Sequence, residues 1–203
     1  MFTSVILGAG KSTRMKANKS KLLFNIAGKP VINHILSSLK AAKAKHNICV
    51  INNSSAELKK ILQAEKISFA YQKILDGTAG AVKAALKSKK NSNSKILILC
   101  GDVPFITSSS IKKLVAKLKN HDAVVGTVEL ESPKGYGRIV RVNNKFSSIV
   151  EEKETTPDER QIREVNTGII AIQENVLRKY ISLIKNNNQK KEYYLTDIIK
   201  ILI

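Results

Sequence analysis

Short apolar runs alternate with longer amphipathic stretches over the first 130 residues. The apolar runs predict strands at Phe2–Leu7, Asn47–Asn52, Ser68–Tyr71, Lys95–Cys100 and Ala123–Glu129. Several of these runs are apolar on consecutive residues, as expected of strands that are buried on both faces of a sheet. Stretches with helical spacing lie between them, at Val31–Lys43, Ala56–Glu65, Ala79–Ser88 and Ser109–Leu118. This order of elements predicts right-handed βαβ units.

The pattern changes after about residue 130. A hairpin is predicted with Asn143-Asn144-Lys145 at its turn, because apolar residues alternate on both sides of it. The stretch "EEKETTPDERQIRE" predicts a mobile polar connection, and "VNTGIIAI" predicts a further strand. A helix is expected at Glu174–Lys185, and "YYLTDIIKILI" is expected to start a last helix that runs to the end of the sequence.

These elements together predict an α/β fold of the Rossmann-like kind. We expect an open mixed, mainly parallel sheet with helices on both faces, formed by one domain over residues 1–203. Three helix starts carry capping signals. Pro30 presets the backbone at the first helix, whereas Ser54-Ser55 and Thr107-Ser108 supply hydroxyl groups that suit an N-cap. Ligands of such sheets bind beyond the carboxyl ends of the strands.

The net charge of +19 raises the question of a polyanionic partner. The lysines are spread along the whole chain and aromatic residues make up only 5% of it, so the charge favours a solvated lysine-rich surface over a nucleic-acid interface. The sequence has neither a membrane-spanning apolar run nor the pattern of a signal peptide. Cys49 and Cys100 lie in apolar runs and predict buried thiols in a reducing compartment. We therefore expect a cytoplasmic protein without a nucleic-acid or membrane partner.

The glycine loop after the first strand resembles two known phosphate-binding motifs but satisfies neither. A P-loop requires a glycine five residues before its Gly-Lys pair, and Val5 occupies that position. A dinucleotide fingerprint requires a third glycine where Thr13 stands. The loop still combines glycines with Arg14 and several lysines, which suits a triphosphate. The alternative is a glycine-containing turn with incidental lysines.

Two further segments carry candidate chemistry. Asp102 follows a predicted buried strand, where a carboxylate can hold a magnesium ion that bridges phosphate oxygens. An aspartate in this position also serves as a helix cap or turn residue. Gly77 and Thr78 stand at a predicted helix start, which either admits a flat ring or a phosphate or is a simple glycine turn.

The segments taken in order resemble the sugar nucleotidyltransferase family, and within it the N-acetylglucosamine-1-phosphate uridylyltransferases. The resemblance covers nearly the whole chain and is carried by "GAGKSTRMKANKSKLL", "AGKPVINHIL", "DGTAGAV", "CGDVP", "GYGRIV", "IVEEKE", "EVNTGI" and "NNNQKKEYYLTDII". It implies the nucleotide-diphospho-sugar transferase fold. It also implies a nucleotide-binding half at residues 1–130 and a sugar-phosphate-binding half at residues 131–203.

The resemblance also assigns roles to individual residues. Arg14 and Lys21 would be the catalytic cations that stabilise charge on the phosphates, and Asp102 would hold Mg²⁺ as the cofactor. The other implied substrate contacts fall into three groups. They are Leu7, Gly8, Ala9, Gly10, Ser12, Thr13 and Gly101 around the triphosphate; Gln72, Gly77 and Thr78 at the base; and Gly137, Glu151, Asn166 and Thr196 around the sugar phosphate.

The implied reaction joins UTP and N-acetylglucosamine 1-phosphate into UDP-N-acetylglucosamine and releases pyrophosphate. The phosphate oxygen of the sugar attacks the α-phosphorus in line, so the reaction needs no nucleophilic side chain. Two alternatives remain open. One is a guanylyl- or cytidylyltransferase of the same fold, and the other is a shortened relative that binds nucleotide with little or no turnover.

The chain departs from the family pattern at three places. Ser12 stands where the family usually has glycine, and Ser20 stands in place of a proline before Lys21. The sequence also stops at Ile203, before the family's second magnesium ligand and its β-helix. From this end point we expect weaker magnesium binding, no acetyltransferase activity and a monomer.

Overall fold

The structure is a computed structural model that describes residues 1–10, 20–52 and 56–203. Ten strands occur in this part of the chain: β1 Phe2–Leu7, β2 Asn25–Ile26, β3 Lys29–Pro30, β4 His46–Ile51, β5 Ser68–Tyr71, β6 Lys95–Cys100, β7 Ala123–Glu129, β8 Arg138–Val142, β9 Lys145–Val150 and β10 Glu164–Gln173. The α-helices are α1 Val31–Ala41, α2 Ala56–Ala64, α3 Thr78–Lys87, α4 Ser108–Lys117, α5 Pro157–Arg160, α6 Glu174–Tyr180 and α7 Asp197–Leu202.

Eight of these strands form one open sheet in the order β5-β4-β1-β6-β10-β8-β9, with β7 on the other side of β10. Strands β4, β1 and β6 pair in parallel, as do β4 and β5. Strand β10 is antiparallel to β6, β7 and β8, and β9 is antiparallel to β8. Six of the eight strands therefore point the same way, and the predicted open mixed, mainly parallel sheet is confirmed.

Helices cover both faces of this sheet because successive residues of its central strands point to opposite sides. In β1, Val5 packs with α3 and α6 on one face, whereas Ile6 packs with α1, α2 and α4 on the other. In β6, Ile98 and Leu99 divide between the faces in the same way. The consecutive apolar residues of these strands therefore fill two cores, which confirms the prediction of helices on both faces.

Local signals placed several element ends correctly. The Thr107 hydroxyl accepts a hydrogen bond from the Ser110 amide at 3.1 Å and caps α4, as predicted. Pro30 is the N-cap of α1, which begins at Val31 as predicted. Asn143 and Asn144 both have positive φ, as two-residue hairpin turns of type I′ require, and they connect β8 to β9. Ser54 and Ser55 lie outside the described residues.

Three elements predicted after residue 150 have different bounds in the structure: the polar connection, the helix that follows β10 and the last helix. The polar stretch 151–164 contains a 3-10 helix at Glu152–Glu154 as well as α5, which starts at a capping box. In this box the Thr156 hydroxyl accepts from the Glu159 amide and the Glu159 carboxylate accepts from the Thr156 amide. The helix predicted to end at Lys185 ends at Tyr180 and continues as a 3-10 turn.

The last helix begins only at Asp197, later than the pattern predicted. The residues before it use their backbone groups elsewhere in the molecule. The amide of Tyr193 donates to the Asp76 carbonyl at 2.7 Å, and the amide of Leu195 donates to the Thr78 hydroxyl at 2.8 Å. Because these N–H groups are engaged outside the segment, they form no helical turn.

A buried carboxylate ties the loop before β6 to α6. Glu174 is fully buried, and its oxygens lie 2.8 Å from Lys89 Nζ and 2.8 Å from an Arg178 guanidinium nitrogen. The Ser94 hydroxyl also donates to it, at 2.9 Å. Burial acts to raise the pKa of Glu174, but these hydrogen bonds outweigh it and lower the pKa to about 2.

In the part of the chain that the structure describes, no helix is long and apolar enough to cross a bilayer.

The Glu174→Ala substitution should lower the free energy of unfolding by about 3–5 kcal/mol, because it leaves two cations near the interior without their partner. The folded-state pKa of about 2 is below the ordinary 4.5, so the stabilisation is present above about pH 4.5 and is lost as the pH falls towards 2. Urea unfolding at several pH values measures both effects. Glu164→Ala, which breaks a more exposed pair with Arg141, is the control and should cost about 1 kcal/mol or less. Equal losses for the two variants would contradict this assignment.

Candidate functional site

The carboxyl ends of three central strands meet at one edge of the sheet. Leu7 at the end of β1 pairs in register with Val50 of β4 and with Cys100 at the end of β6. The glycine loop after β1 and the Gly101-Asp102 turn after β6 therefore start side by side. This is the edge at which open α/β sheets bind their ligands.

A single buried side chain fills the space between these two turns. Leu22 is fully buried, and a Cβ atom on Gly8 or on Gly101 would lie 2.5 Å from one of its methyl carbons. The amide of Gly8 donates to the Val50 carbonyl at 2.8 Å, and that of Gly101 donates to the Leu7 carbonyl at 3.0 Å. Both glycines thus make room for Leu22, and their N–H groups extend the sheet. Their predicted contacts with substrate stay predictions.

Burial of Leu22 places its neighbour at the mouth of the site. Lys21 opens a 3-10 helix at Lys21–Leu23 that is capped by the Ser20 side chain. Its Nζ atom lies 2.5 Å from Asp102 Oδ2, so the predicted catalytic cation and the predicted metal ligand are direct partners. Both side chains are partly exposed, at 27% and 54%, so the pair adds little to folding stability. Its importance lies in holding both charges at the strand ends.

A cleft of about 470 Å³ opens beside this pair. It brings together seven of the predicted site residues: Leu7, Ala9, Gly10, Lys21, Gln72, Gly77 and Thr78. Four lining residues were not predicted: Leu75, Ala81, Cys100 and Glu192. Cys100 directly precedes the predicted Gly101, and Glu192 belongs to the segment that contains Thr196, so proximity to these motifs was a signal for both. Ser12, Thr13 and Arg14 lie outside the described residues.

The side-chain amide of Gln72 has one orientation in this cleft. Its Nε2 atom donates to Asp76 Oδ1 at 3.1 Å and to the Gly77 carbonyl at 3.0 Å. Because a carboxylate and a carbonyl only accept, the NH₂ group must face them. The Oε1 atom accepts no hydrogen bond from the described residues and is available to a donor in the cleft.

The start of α3 is occupied by groups of the protein itself. The Asp76 carboxylate lies against Gly80, where a Cβ atom would be 1.7 Å from Oδ1. The amide of Ala79 donates to the Tyr193 carbonyl at 2.9 Å. A carboxylate at a helix N-terminus balances the positive end of the helix dipole and repels a second anion. Of the two ligands considered for this helix start, the structure therefore favours the flat ring over the phosphate.

The four residues predicted around the sugar phosphate also converge. The Thr196 hydroxyl donates to Glu151 Oε1 at 3.0 Å, and the backbone N–H of Asn166 donates to the Gly137 carbonyl at 2.9 Å. A Cβ atom on Gly137 would lie 3.6 Å from Glu151 Oε2. Burial raises the pKa of the Glu151 carboxyl, while the Thr196 hydrogen bond acts in the opposite direction. These residues form a polar cluster at the same edge of the sheet, named here the second pocket because it is the predicted site of the sugar phosphate.

Cys100 lines the cleft at the end of β6. Its Sγ atom would be 3.0 Å from a Cβ atom on Gly168, so Gly168 in β10 approaches it closely. Burial raises the pKa of the Cys100 thiol to about 11, and the carboxylates of Asp102 and Glu151 add to that increase. The thiol is therefore protonated at neutral pH and is a packing group, not a nucleophile. Cys49 and Cys100 are both free, as predicted.

Asp102 is a single carboxylate, and the described ranges contain no group of three or more His, Cys, Asp or Glu residues placed to hold a metal. Magnesium in nucleotide sites is commonly held by one or two carboxylates together with phosphate oxygens and water. An exposed carboxylate at a strand end fits that mode of binding, and it does not fit a metal held by protein ligands alone.

Comparison with known proteins identifies the family. The model of the MobA-like NTP transferase domain matches residues 4–161. The bifunctional protein GlmU of Francisella tularensis subsp. novicida (strain U112) is 43% identical over 198 residues, which cover 96% of this chain and 43% of that protein. GlmU of F. tularensis subsp. holarctica (strain OSU18) matches with the same identity and coverage. The chain thus spans less than half the length of these curated relatives.

Solved structures show the same fold at lower identity. A UDP-glucose pyrophosphorylase in complex with UDP-glucose superposes with a TM-score of 0.75 at 16% identity, covering 100% of this chain and 86% of that one. A putative glucose-1-phosphate thymidylyltransferase from Bacillus anthracis in complex with sucrose gives 0.77 at 21% identity, covering 98% and 81%. The predicted nucleotide-diphospho-sugar transferase fold is confirmed.

The Gly101→Ala substitution should lower the free energy of unfolding by about 1–3 kcal/mol, because the added methyl group overlaps Leu22 and the Leu7 carbonyl. Gly10→Ala is the matched control, since a Cβ atom there meets nothing within 4 Å in the described residues. Thermal and urea unfolding of the two variants measure the difference. If Gly101→Ala were as stable as Gly10→Ala, Leu22 would not fill the space beside Gly101.

Proposed function

Because the chain belongs to the MobA-like NTP transferase family, we propose that it transfers the uridylyl group of UTP to N-acetylglucosamine 1-phosphate. The products are UDP-N-acetylglucosamine and pyrophosphate. Family membership supports a nucleoside triphosphate and a sugar phosphate as substrates, and the resemblance to uridylyltransferases supports this particular pair. The free thiols of Cys49 and Cys100 are consistent with a cytoplasmic site of action.

The observation that carries the proposal is the position of the Lys21–Asp102 pair. The pair lies at the strand ends beside the cleft that contains Gln72 and Cys100, and the Glu151 carboxylate of the second pocket is near enough to raise the pKa of the Cys100 thiol. A nucleotide in the cleft and a sugar phosphate in the second pocket would meet beside Lys21. An ammonium group in this place attracts the phosphates of both substrates.

In the proposed reaction, a phosphate oxygen of the sugar substrate attacks the α-phosphorus of UTP. A new phosphorus–oxygen bond forms while the bond from the α-phosphorus to the bridging oxygen breaks, and pyrophosphate leaves with the electron pair. Lys21 stabilises the negative charge that develops on the phosphates. Asp102 is the residue that would hold Mg²⁺, which when bound supplies further neutralisation of phosphate charge. The residues of the two pockets contribute mainly by positioning the reactants.

The orientation of Gln72 supports uracil over cytosine. Its free Oε1 atom can accept from the N3–H group of uracil, whereas cytosine presents an acceptor at N3 and would face it acceptor to acceptor. A mismatch of this kind leaves two acceptors facing each other and disfavours the wrong base by about tenfold or more. The cytidylyltransferase alternative is therefore less well supported than the proposed uridylyltransferase.

Pyrophosphate release from UTP and N-acetylglucosamine 1-phosphate tests the proposal. Turnover should require both substrates, and CTP should be used at least about tenfold less efficiently than UTP. Lys21→Ala should lower kcat by about 10²-fold or more, because a charge that stabilises the leaving phosphates is lost. Lys117→Ala, at the exposed end of α4, changes the net charge equally and should leave kcat unaltered.

Two results would contradict this assignment. Nucleotide binding without pyrophosphate release from any pair of nucleotide and sugar phosphate would favour the non-catalytic alternative. Equal losses for Lys21→Ala and Lys117→Ala would show that overall charge, and not the position of Lys21, determines the rate.

A further inference from the structure

Residues 192–196, named here the strap, run directly across the start of α3. Two backbone hydrogen bonds hold Tyr193 there: the Tyr193 amide donates to the Asp76 carbonyl at 2.7 Å, and the Ala79 amide donates to the Tyr193 carbonyl at 2.9 Å. Asp76 and Ala79 flank Gly77 and Thr78, which line the nucleotide cleft. The strap is therefore attached to the part of the molecule that would hold the base.

Gly77 is shaped for this attachment. Its φ of +112° is a conformation that side-chain-bearing residues rarely adopt, and a Cβ atom there would lie 2.6 Å from the Tyr193 carbonyl oxygen. The space that a side chain would occupy is filled by the strap backbone. Close packing of the strap backbone therefore requires glycine at position 77, in addition to any requirement that a bound nucleotide sets.

The Thr78 hydroxyl makes the next attachment. Its Oγ1 atom accepts from the Leu195 amide at 2.8 Å, so the hydroxyl oxygen faces the strap. The residue after Leu195 is Thr196, whose hydroxyl donates to Glu151 Oε1 at 3.0 Å. One short path thus runs from Thr78, through two adjacent strap residues, to the carboxylate of the second pocket.

This path of hydrogen bonds ends at the Glu151 carboxylate, which is partly buried. Glu151 has limited contact with solvent, and Thr196 is the residue whose side chain donates to its carboxylate in the described structure. Leu195 is buried and the following Ile198 and Ile199 lie in the core, so the strap remains attached if one hydrogen bond is lost. Loss of the Thr78 bond should therefore shift the strap and the Thr196 hydroxyl while the fold is retained.

We propose that Thr78 is a positioning residue for the sugar-phosphate pocket: it holds the strap, and the strap orients Thr196 and Glu151. This inference rests on the proposed function, which makes that pocket the binding site for the sugar phosphate. Thr78, which lines the nucleotide cleft, would thereby influence the affinity for the sugar phosphate. Ordering of Asp76–Ala79 by a bound nucleotide would then favour sugar-phosphate binding, and the coupling is reciprocal.

Thr78→Val and Thr78→Ser separate this role from direct contact with the base. Valine keeps the shape and removes the acceptor, so the Leu195 amide loses its partner, whereas serine retains a hydroxyl. Calorimetric titration of each full-length variant with UTP and with N-acetylglucosamine 1-phosphate gives two dissociation constants. Thr78→Val should weaken sugar-phosphate binding about tenfold, and by a larger factor than it weakens UTP binding. Thr78→Ser should stay within about twofold of the wild type for both ligands.

Thr107→Val is the matched control. Its hydroxyl also accepts from a backbone amide at a helix start, but it belongs to α4 on the opposite face of the sheet from α3. It should leave both dissociation constants unchanged. Amide hydrogen exchange provides a direct readout, since exchange at Leu195 should be faster in Thr78→Val than in the wild type and unchanged in Thr107→Val.

Three results would overturn the inference: weaker UTP binding with unchanged sugar-phosphate binding in Thr78→Val, no change for either ligand, or a serine variant as impaired as the valine variant. Failure of the wild type to bind the sugar phosphate would overturn it together with the proposed function. Binding of both ligands without pyrophosphate release would contradict the proposed function alone. The effect of Thr78→Val on the two affinities would then still decide the role of Thr78.

Discussion

The packing of Leu22 between two glycines is the constraint on which the site depends. β1 and β6 end side by side, and the turns that follow can approach each other only because Gly8 and Gly101 leave room for this leucine. The same leucine fixes the short helix that starts at Lys21 and so brings its ammonium group to Asp102. An apolar contact in the core thus sets the position of the two charges at the candidate reaction centre.

The second half of the chain completes the site by bringing polar residues to the same edge. Strand β10 runs antiparallel to β6, so its first residues, including Asn166, reach the carboxyl ends of the parallel strands. The β8–β9 hairpin adds Gly137 and Glu151 there. The strap then joins this pocket to the start of α3. The two pockets are therefore linked through the backbone as well as by proximity.

The sequence predicted what depends on local pattern and missed what depends on distant contacts. The bounds of β1, β5, β6 and β7 follow from apolar runs, and the site residues near Lys21 and Asp102 follow from the family motifs. The late start of α7 could not be predicted, because its cause lies 117 residues away, in the hydrogen bond from Leu195 to Thr78. The orientation of the Gln72 side-chain amide likewise could not be predicted, because it depends on how the chain turns at Asp76.

The central claim is that one edge of the sheet holds a triphosphate beside Lys21 and a base beside Gln72. A crystal structure of the protein with UTP and magnesium tests it most directly. The account predicts that the uracil N3–H group donates to Gln72 Oε1 and that Lys21 Nζ lies within hydrogen-bonding distance of a phosphate oxygen. An ordered nucleotide outside the cleft, or a base that turns its donor groups away from Gln72, would contradict it.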